Sequence, residues 1–223
     1  MPYYSEKLSG LRLKRVYDIA TPRVRQYLDV ELEYALSKIK PGDMVLDLGC
    51  GYGRVIPRLA KKAKMVVGID SAIESLRLGR ELLAGIANHN LLCMDAASLG
   101  FDESIFDVVI CIQNGISSFH VDQTRLIAES VRVTKPGGIV LFSSYSDKFW
   151  ADRLEWFELQ AQEKLLGEID YEKTGDGLII CKDGFTASTL SAEDFLSLTA
   201  GLDATVKIIE IDESSLFCEI TSH

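Results

Sequence analysis

Long apolar runs are missing from this chain. None reaches the ~18 residues that a membrane-spanning helix needs, so no span is expected. The first residues, Met-Pro-Tyr-Tyr-Ser-Glu-Lys, lack the basic-then-apolar order of a secretory leader, and a cytoplasmic location is the expectation. Positive charge is also short: 24 Lys and Arg stand against 33 Asp and Glu, a net charge of −9. A sequence-independent grip on phosphate backbones rests on Lys and Arg, so nucleic acid is not an expected partner. Histidine occurs three times. No His/Cys/Asp/Glu cluster has metal-ligand spacing, and no metal site is expected. The five cysteines (Cys50, Cys93, Cys111, Cys181, Cys218) include no C-x-x-C pair, and three lie in apolar strand-like runs. They read as reduced core thiols.

What is present is ordinary globular material: 223 residues, 47% hydrophobic and 26% charged, enough for one full core. No repeat or low-complexity linker marks a boundary, so a single domain over 1–223 is expected. Leu28, Leu32, Ala35, Leu36 and Ile39 stand at helical spacing and make residues 1–40 a helical cap, ended by Pro41-Gly42-Asp43. Apolar runs then predict strands over 44–48, 65–69, 91–94, 106–112 and 139–143. Helices are expected between them over 54–64, 72–87 and 122–133, the second capped by Ser71 with Glu74 three residues on. Such alternation means an α/β fold with a parallel sheet and right-handed crossovers. The last third differs. It predicts a helix over 147–166, then short antiparallel strands over 167–190 turned at Gly175-Asp-Gly177 and Lys182-Asp-Gly184. A helix opening at Ser191-Ala-Glu-Asp194 and a closing hairpin of 204–211 and 216–221 complete it.

The sharpest feature is Val45-Leu-Asp-Leu-Gly-Cys-Gly-Tyr-Gly53, a buried strand entering a glycine loop, with Arg54 next and Asp70 twenty-one residues after Gly49. Glycines let a backbone approach a ligand closely, and an acid ending the next strand can accept from both hydroxyls of a ribose. A dinucleotide fingerprint would need a third glycine at position 54, where Arg stands, which opposes an NAD-dependent dehydrogenase.

The G-x-G-x-G spacing after Asp47 resembles motif I of the class I S-adenosylmethionine (SAM)-dependent methyltransferases, and the likeness runs from about Pro41 to the end. It implies a Rossmann-like, seven-stranded, mostly parallel sheet whose last strand is antiparallel, with SAM as cofactor. By the resemblance, the backbone of Gly49, Cys50, Gly51 and Tyr52 faces the methionine part of SAM, and Asp47 lies near its amino group. Asp70, with Ser71 beside it, meets the ribose, and Asp95 and Ala96 meet the adenine. The stretch Phe106–Gly115 is similar to motif IV, which brings Gln113 and Asn114 toward the transferring methyl or the substrate. It lacks the [D/N/S]-P-P-[Y/F/W] tetrad and the Pro-Cys pair of nucleic-acid enzymes.

Val16-Tyr-Asp-Ile-Ala20 resembles a Tyr-Asp element in the N-terminal helix of small-molecule N-methyltransferases. A Tyr17 ring face could also stabilise a sulfonium by ~0.5–2 kcal/mol. No catalytic base is assigned; Tyr17, Asn114 and His120 are the candidates. Arg23 and Arg25 are open between surface charge and carboxylate binding, and Trp150 and Trp156 between core and lid. The resemblance implies methyl transfer from SAM to a nitrogen or oxygen of a small molecule. Methylation of protein or RNA, and non-catalytic SAM binding, are the alternatives. Tyr4, Tyr17 and the 167–190 insert are expected to roof the site together.

Overall fold

The computed structural model describes residues 3–223; Met1 and Pro2, at the head of the expected cap, lie outside the described residues. Three helices come first: α1 (Tyr3–Glu6), α2 (Gly10–Asp18) and α3 (Pro22–Lys38). Thr21 starts α3 by accepting from the Val24 amide, and Pro22 sits in its first turn, where no amide hydrogen is needed. There follow β1 (Met44–Leu48), α4 (Ile56–Ala60), β2 (Met65–Asp70), α5 (Ile73–Leu82), β3 (His89–Cys93) and β4 (Phe106–Cys111). Next come α6 (Gly115–Ser118), α7 (Gln123–Arg132) and β5 (Thr134–Tyr145). The last third holds α8 (Trp150–Gln162), β6 (Ile179–Ile180), β7 (Thr186–Ala187), α9 (Ala192–Leu198), β8 (Ala204–Ile211) and β9 (Ser215–Ser222).

Seven strands form one sheet in the order β3-β2-β1-β4-β5-β9-β8. The first five are parallel, and β9 runs antiparallel between β5 and β8. The near-continuous apolar strands β1 and β4 are buried on both faces, as the central strands of a helix-covered parallel sheet must be. Strand order reverses between β1 and β4, which opens a crevice beyond their carboxyl ends. Leu46, Val109, Phe142 and Ile220 pack one core against the sheet, and Val45, Ile110, Leu141 and Phe217 another. A third core lies away from the sheet centre: Val24, Tyr27, Phe149, Trp156, Phe157 and Phe185 join α3, α8 and the insert that carries β6 and β7. Among the described residues no helix is long and apolar enough to cross a membrane.

The expected elements differ from the observed ones in instructive places. The helix expected from residue 54 begins only at Ile56, because Gly53 is left-handed and the turn carries on through Arg54 and Val55. Ser71 does not cap α5. The cap position is Ala72, so no side chain caps the helix, and the Ala72 amide donates to Asp70 Oδ1 at 2.7 Å. Lys135-Pro-Gly-Gly138 does not separate α7 from β5; the strand already pairs Thr134 with Phe106 and then shifts register. The 147–166 helix is a 3₁₀ turn (Asp147–Phe149) followed by α8, ending before the left-handed Lys164. The capping box at Ser191 and Asp194 forms as expected.

Candidate active site

The carboxyl ends of β1, β2, β3 and β4 surround a cleft of about 1010 Å³ counting its open mouth, lined by Gly49, Asp70, Ser71, Asp95, Ala96 and Gln113 among others. A smaller lobe beside it is walled by Asp47, Gly49, Cys50, Gly51, Tyr52 and Arg54, and Tyr17, Leu13 and Gln113 face both. The cofactor-side residues expected from the sequence therefore border one continuous site.

The glycine loop is shaped by backbone conformation. Gly49 and Gly51 have φ of +72° and +57°, a region costly for any residue with a Cβ. A Cβ on Gly49 would also lie 2.5 Å from the Phe119 ring, and one on Gly51 3.0 Å from Leu13. The loop's first amides are already used: Gly49 and Cys50 both donate to the Ile69 carbonyl at 2.9 Å, and Gly51 donates to Asp70 Oδ2 at 2.8 Å. At Gly49, Cys50 and Gly51 the loop thus offers close approach rather than free donors. Asp70, which lines the cleft, accepts from two backbone amides, one at each oxygen, which leaves a lone pair on each. Burial pushes its carboxyl above the usual range against those bonds. Asp95 is exposed, and its Oδ1 accepts from the Ala97 amide at 2.8 Å.

The small lobe holds two charges with an unpartnered atom each. Asp47 is 3% exposed, and its Oδ2 has no hydrogen-bond partner among the described residues; the same is true of the buried terminal Nη2 of Arg54. Burial pushes the Asp47 carboxyl up to about 7, with Arg54 opposing and Asp70 reinforcing the rise. The Arg54 guanidinium lies 4.6 Å from the Tyr17 ring centre. Only the glycine spacing spoke for position 54 in the sequence; its chemistry emerges from the fold.

The wall opposite belongs to α2 and the segment before it. Tyr3, Tyr4, Leu8, Leu13 and Tyr17 line the cleft, and the Tyr17 hydroxyl donates to Gln113 Oε1 at 3.1 Å. Burial pushes the Tyr4 phenol up to about 12 and raises that of Tyr17, so both stay protonated near neutrality. Asp18 faces away, paired with Lys14 at 2.8 Å. Among the described residues, none of the 167–190 insert lines the cleft. The insert instead buttresses the wall from behind: Tyr3 donates to Asp183 at 2.5 Å, and the rings of Tyr3 and Tyr4 stand edge-on to Phe185. Trp156 is core, donating to the Val16 carbonyl at 3.0 Å, and Trp150 packs partly buried against the same core. Arg23 is paired with Asp212 at 2.5 Å, and Arg25 donates to the Asp18 carbonyl.

The remaining candidates lie elsewhere. Asn114 is buried outside the lining; its Nδ2 donates to the Ser188 carbonyl at 2.8 Å and its Oδ1 accepts from Ser144 Oγ at 3.1 Å. His120 is exposed, with φ +53°, and does not line the cleft. Two residues went unread in the sequence. Phe119 covers Gly49. Glu31, fully buried on α3, accepts from the Gln113 amide at 2.8 Å and from Ser215 Oγ at 2.5 Å. A signal for Glu31 existed: it stands three and four residues from Leu28 and Tyr27 on the buried face of α3. Burial pushes its carboxyl up to about 7 despite these bonds.

Comparison with known proteins agrees with this fold. Residues 45–138 match the family model described as a methyltransferase domain. The arsenite methyltransferase of Aquipseudomonas alcaligenes is 30% identical over 174 residues, 71% of this chain and 48% of that protein. The ubiquinone/menaquinone biosynthesis C-methyltransferase UbiE of Burkholderia cenocepacia is 36% identical over 121 residues, 52% of this chain and 48% of its own. The chain thus spans about half the length of these curated relatives. A SAM-dependent methyltransferase structure from Methanosarcina mazei superposes with a TM-score of 0.61 at 22% identity, over 83% of this chain and 95% of that one. Residues 45–138 thus carry a methyltransferase domain, and the chain has the fold of the SAM-dependent methyltransferase structure it superposes on.

Proposed function

We propose that this protein binds SAM in the cleft and catalyses methylation of a nitrogen or oxygen on a small molecule. The observation that carries the reading is the lobe beside the glycine loop, where a buried acid and a guanidinium each have an unpartnered atom. Unpartnered buried polar atoms are rare in folded proteins, and this pair matches the ammonium and carboxylate of an amino-acid terminus. Asp47 and Arg54 would hold that terminus, Asp70 the ribose, and Asp95 with the Ala96 backbone the adenine. SAM, when bound, supplies an electrophilic methyl group on a sulfonium. The chain's part is to align the acceptor and exclude water; Tyr4, Tyr17 and Phe119 form the walls suited to that.

Among the described residues, no Lys, Arg or His lines the main cleft. That favours a neutral or cationic acceptor over an anionic one. The net charge of −9 likewise speaks against an RNA acceptor. An arsenite acceptor, suggested by one relative's name, is not favoured: arsenic would need soft thiolates. Cys50, Cys111, Cys181 and Cys218 are buried, with their thiols pushed up by burial, and the exposed Cys93 does not line the cleft. Among the described residues no three His, Cys, Asp or Glu side chains gather to hold a metal.

Calorimetric titration with S-adenosylhomocysteine and NAD tests the cofactor. Heat from the first and none from the second is expected, and the reverse sinks the proposal. In the same assay Asp70→Asn should weaken S-adenosylhomocysteine binding about tenfold, the scale of one bond to a charged group; an unchanged affinity in folded protein removes Asp70 from the site. The N-terminal wall is expected to tighten on the ligand. Amide exchange of residues 3–18 should slow on adding S-adenosylhomocysteine, and Asp183→Ala should speed it in the free protein. Identical exchange in all three samples would make that wall static packing.

A further inference from the structure

We propose that Glu31 is a positioning residue of the site, its buried carboxylate holding the Gln113 amide and thereby the Gln113 side chain against Tyr17. The inference rests on the cofactor reading above and extends it to a residue that touches no ligand.

Glu31 is fully buried, and among the described residues no cation is one of its hydrogen-bond partners. A buried carboxylate without a cation is unfavourable unless donors satisfy it, and apolar side chains such as Leu28, Leu32 and Ala35 hold the rest of this helix face at no such penalty. What Glu31 does that they cannot is join three elements. Its Oε1 takes the Ser215 hydroxyl at the start of β9, and its Oε2 takes the Gln113 amide just beyond β4, while its own backbone belongs to α3.

The loop it holds needs holding. Gln113 and Asn114 are consecutive non-glycine residues with φ of +59° each, a conformation that persists only where surroundings enforce it. Two anchors enforce it here. Asn114 is tied through its side chain to Ser188 and Ser144, and Gln113 is tied through its amide to Glu31. The elbow turns the Gln113 side chain into both lobes of the cleft, where its Oε1 accepts from Tyr17. Tyr17 in turn carries the Arg54 guanidinium on its ring. Glu31 thus stands one bond behind a chain of contacts that ends at the glycine loop.

The test is titration of S-adenosylhomocysteine into wild type, Glu31→Ala, Glu31→Asp and Glu31→Gln, with melting temperatures measured in parallel. Alanine removes the acceptor, and aspartate keeps the charge but is one methylene short of the Gln113 amide. Each should bind at least tenfold more weakly while remaining folded. Glutamine keeps an acceptor oxygen at full reach and should restore affinity to within threefold of wild type. A merely structural role would lower melting temperatures and leave the affinity of folded protein unchanged. The proposal is overturned if folded Glu31→Ala binds within twofold of wild type. Should the alanine variant not fold, the aspartate variant decides on the same criterion. Wild type that fails to bind S-adenosylhomocysteine overturns the cofactor reading itself, and this proposal with it, a result distinct from wild-type binding that the variants share.

Discussion

Arg54→Ala is expected to raise the dissociation constant of S-adenosylhomocysteine by about 10- to 100-fold, the scale for losing bonds to a charged group. The basis is that Arg54 Nη2 is buried with no partner among the described residues, so a ligand carboxylate would complete it rather than displace an existing bond. For the same reason the fold should tolerate the change; the circular dichroism spectrum should be unaltered. Asp47 supplies the complementary, pH-dependent half. Its carboxyl is pushed up to about 7 by burial, with Arg54 lowering it and Asp70 raising it. A ligand ammonium favours the ionised form, so binding must draw the proton off below that pH. Affinity should therefore strengthen as pH rises from 6 to 8, and Asp47→Asn should be weaker and nearly flat over that range. A wild-type affinity that falls across this window, or an Arg54→Ala variant binding as wild type, would remove the lobe from the ligand site.

The second large effect is on stability. Burial raises the Glu31 carboxyl from 4.5 to about 7, so the native state holds this proton more tightly than the unfolded chain does. With the folded value above the unfolded one, an acid is least unfavourable to the fold at low pH. Stability is lost as pH rises from about 4.5 through 7 and then levels off. Glu31→Gln carries no such proton. Relative to wild type it should gain about 2–3 kcal/mol between pH 5 and pH 8, because each pH unit between the unfolded and folded values is worth ~1.4 kcal/mol. For a chain of this size that is about 5–10 °C in Tm, read as the change with pH of the difference between the two proteins. Every other titrating group is common to both and cancels. A difference in Tm that stays constant from pH 5 to 8 would mean Glu31 is ionised throughout. The gain in stability and the retained affinity expected of this variant are compatible, because glutamine preserves the acceptor that Gln113 needs while removing the charge that burial opposes.

Much of this site was legible in the order of residues because it rests on local constraints. Only glycine takes the left-handed turns at Gly49 and Gly51 without strain, and only glycine leaves room there for Phe119 and Leu13, so the loop had to be written in glycine. A strand buried on both faces must be continuously apolar, and an acid closing such a strand, as Asp70 does, stands out against it. Those two constraints determined the α/β class, the strand succession and the glycine-loop and β2-end residues that border the cleft. The antiparallel place of β9 followed from resemblance rather than from any pattern within β9 itself.

The tertiary structure alone decided the rest, because the remaining roles depend on partners far away in the chain. Glu31 lies 82 residues from Gln113 and 184 from Ser215, and a glutamate near two other acids on one helix carries no mark of those partners. Asn114 looked like a site residue from its position after β4, yet Ser188 and Ser144 claim its side chain. The insert looked like a roof; the packing of Phe185 and Asp183 against Tyr3 and Tyr4 makes it the support of one. Ser71 lost its capping role because the helix starts one residue later than expected, with Ala72, which has no side-chain acceptor, at the cap position. Spacing along the chain encodes what a residue must be where backbone sterics are strict. Which hydrogen bond a side chain makes across the fold is an outcome of packing, and it exists only once the elements have met.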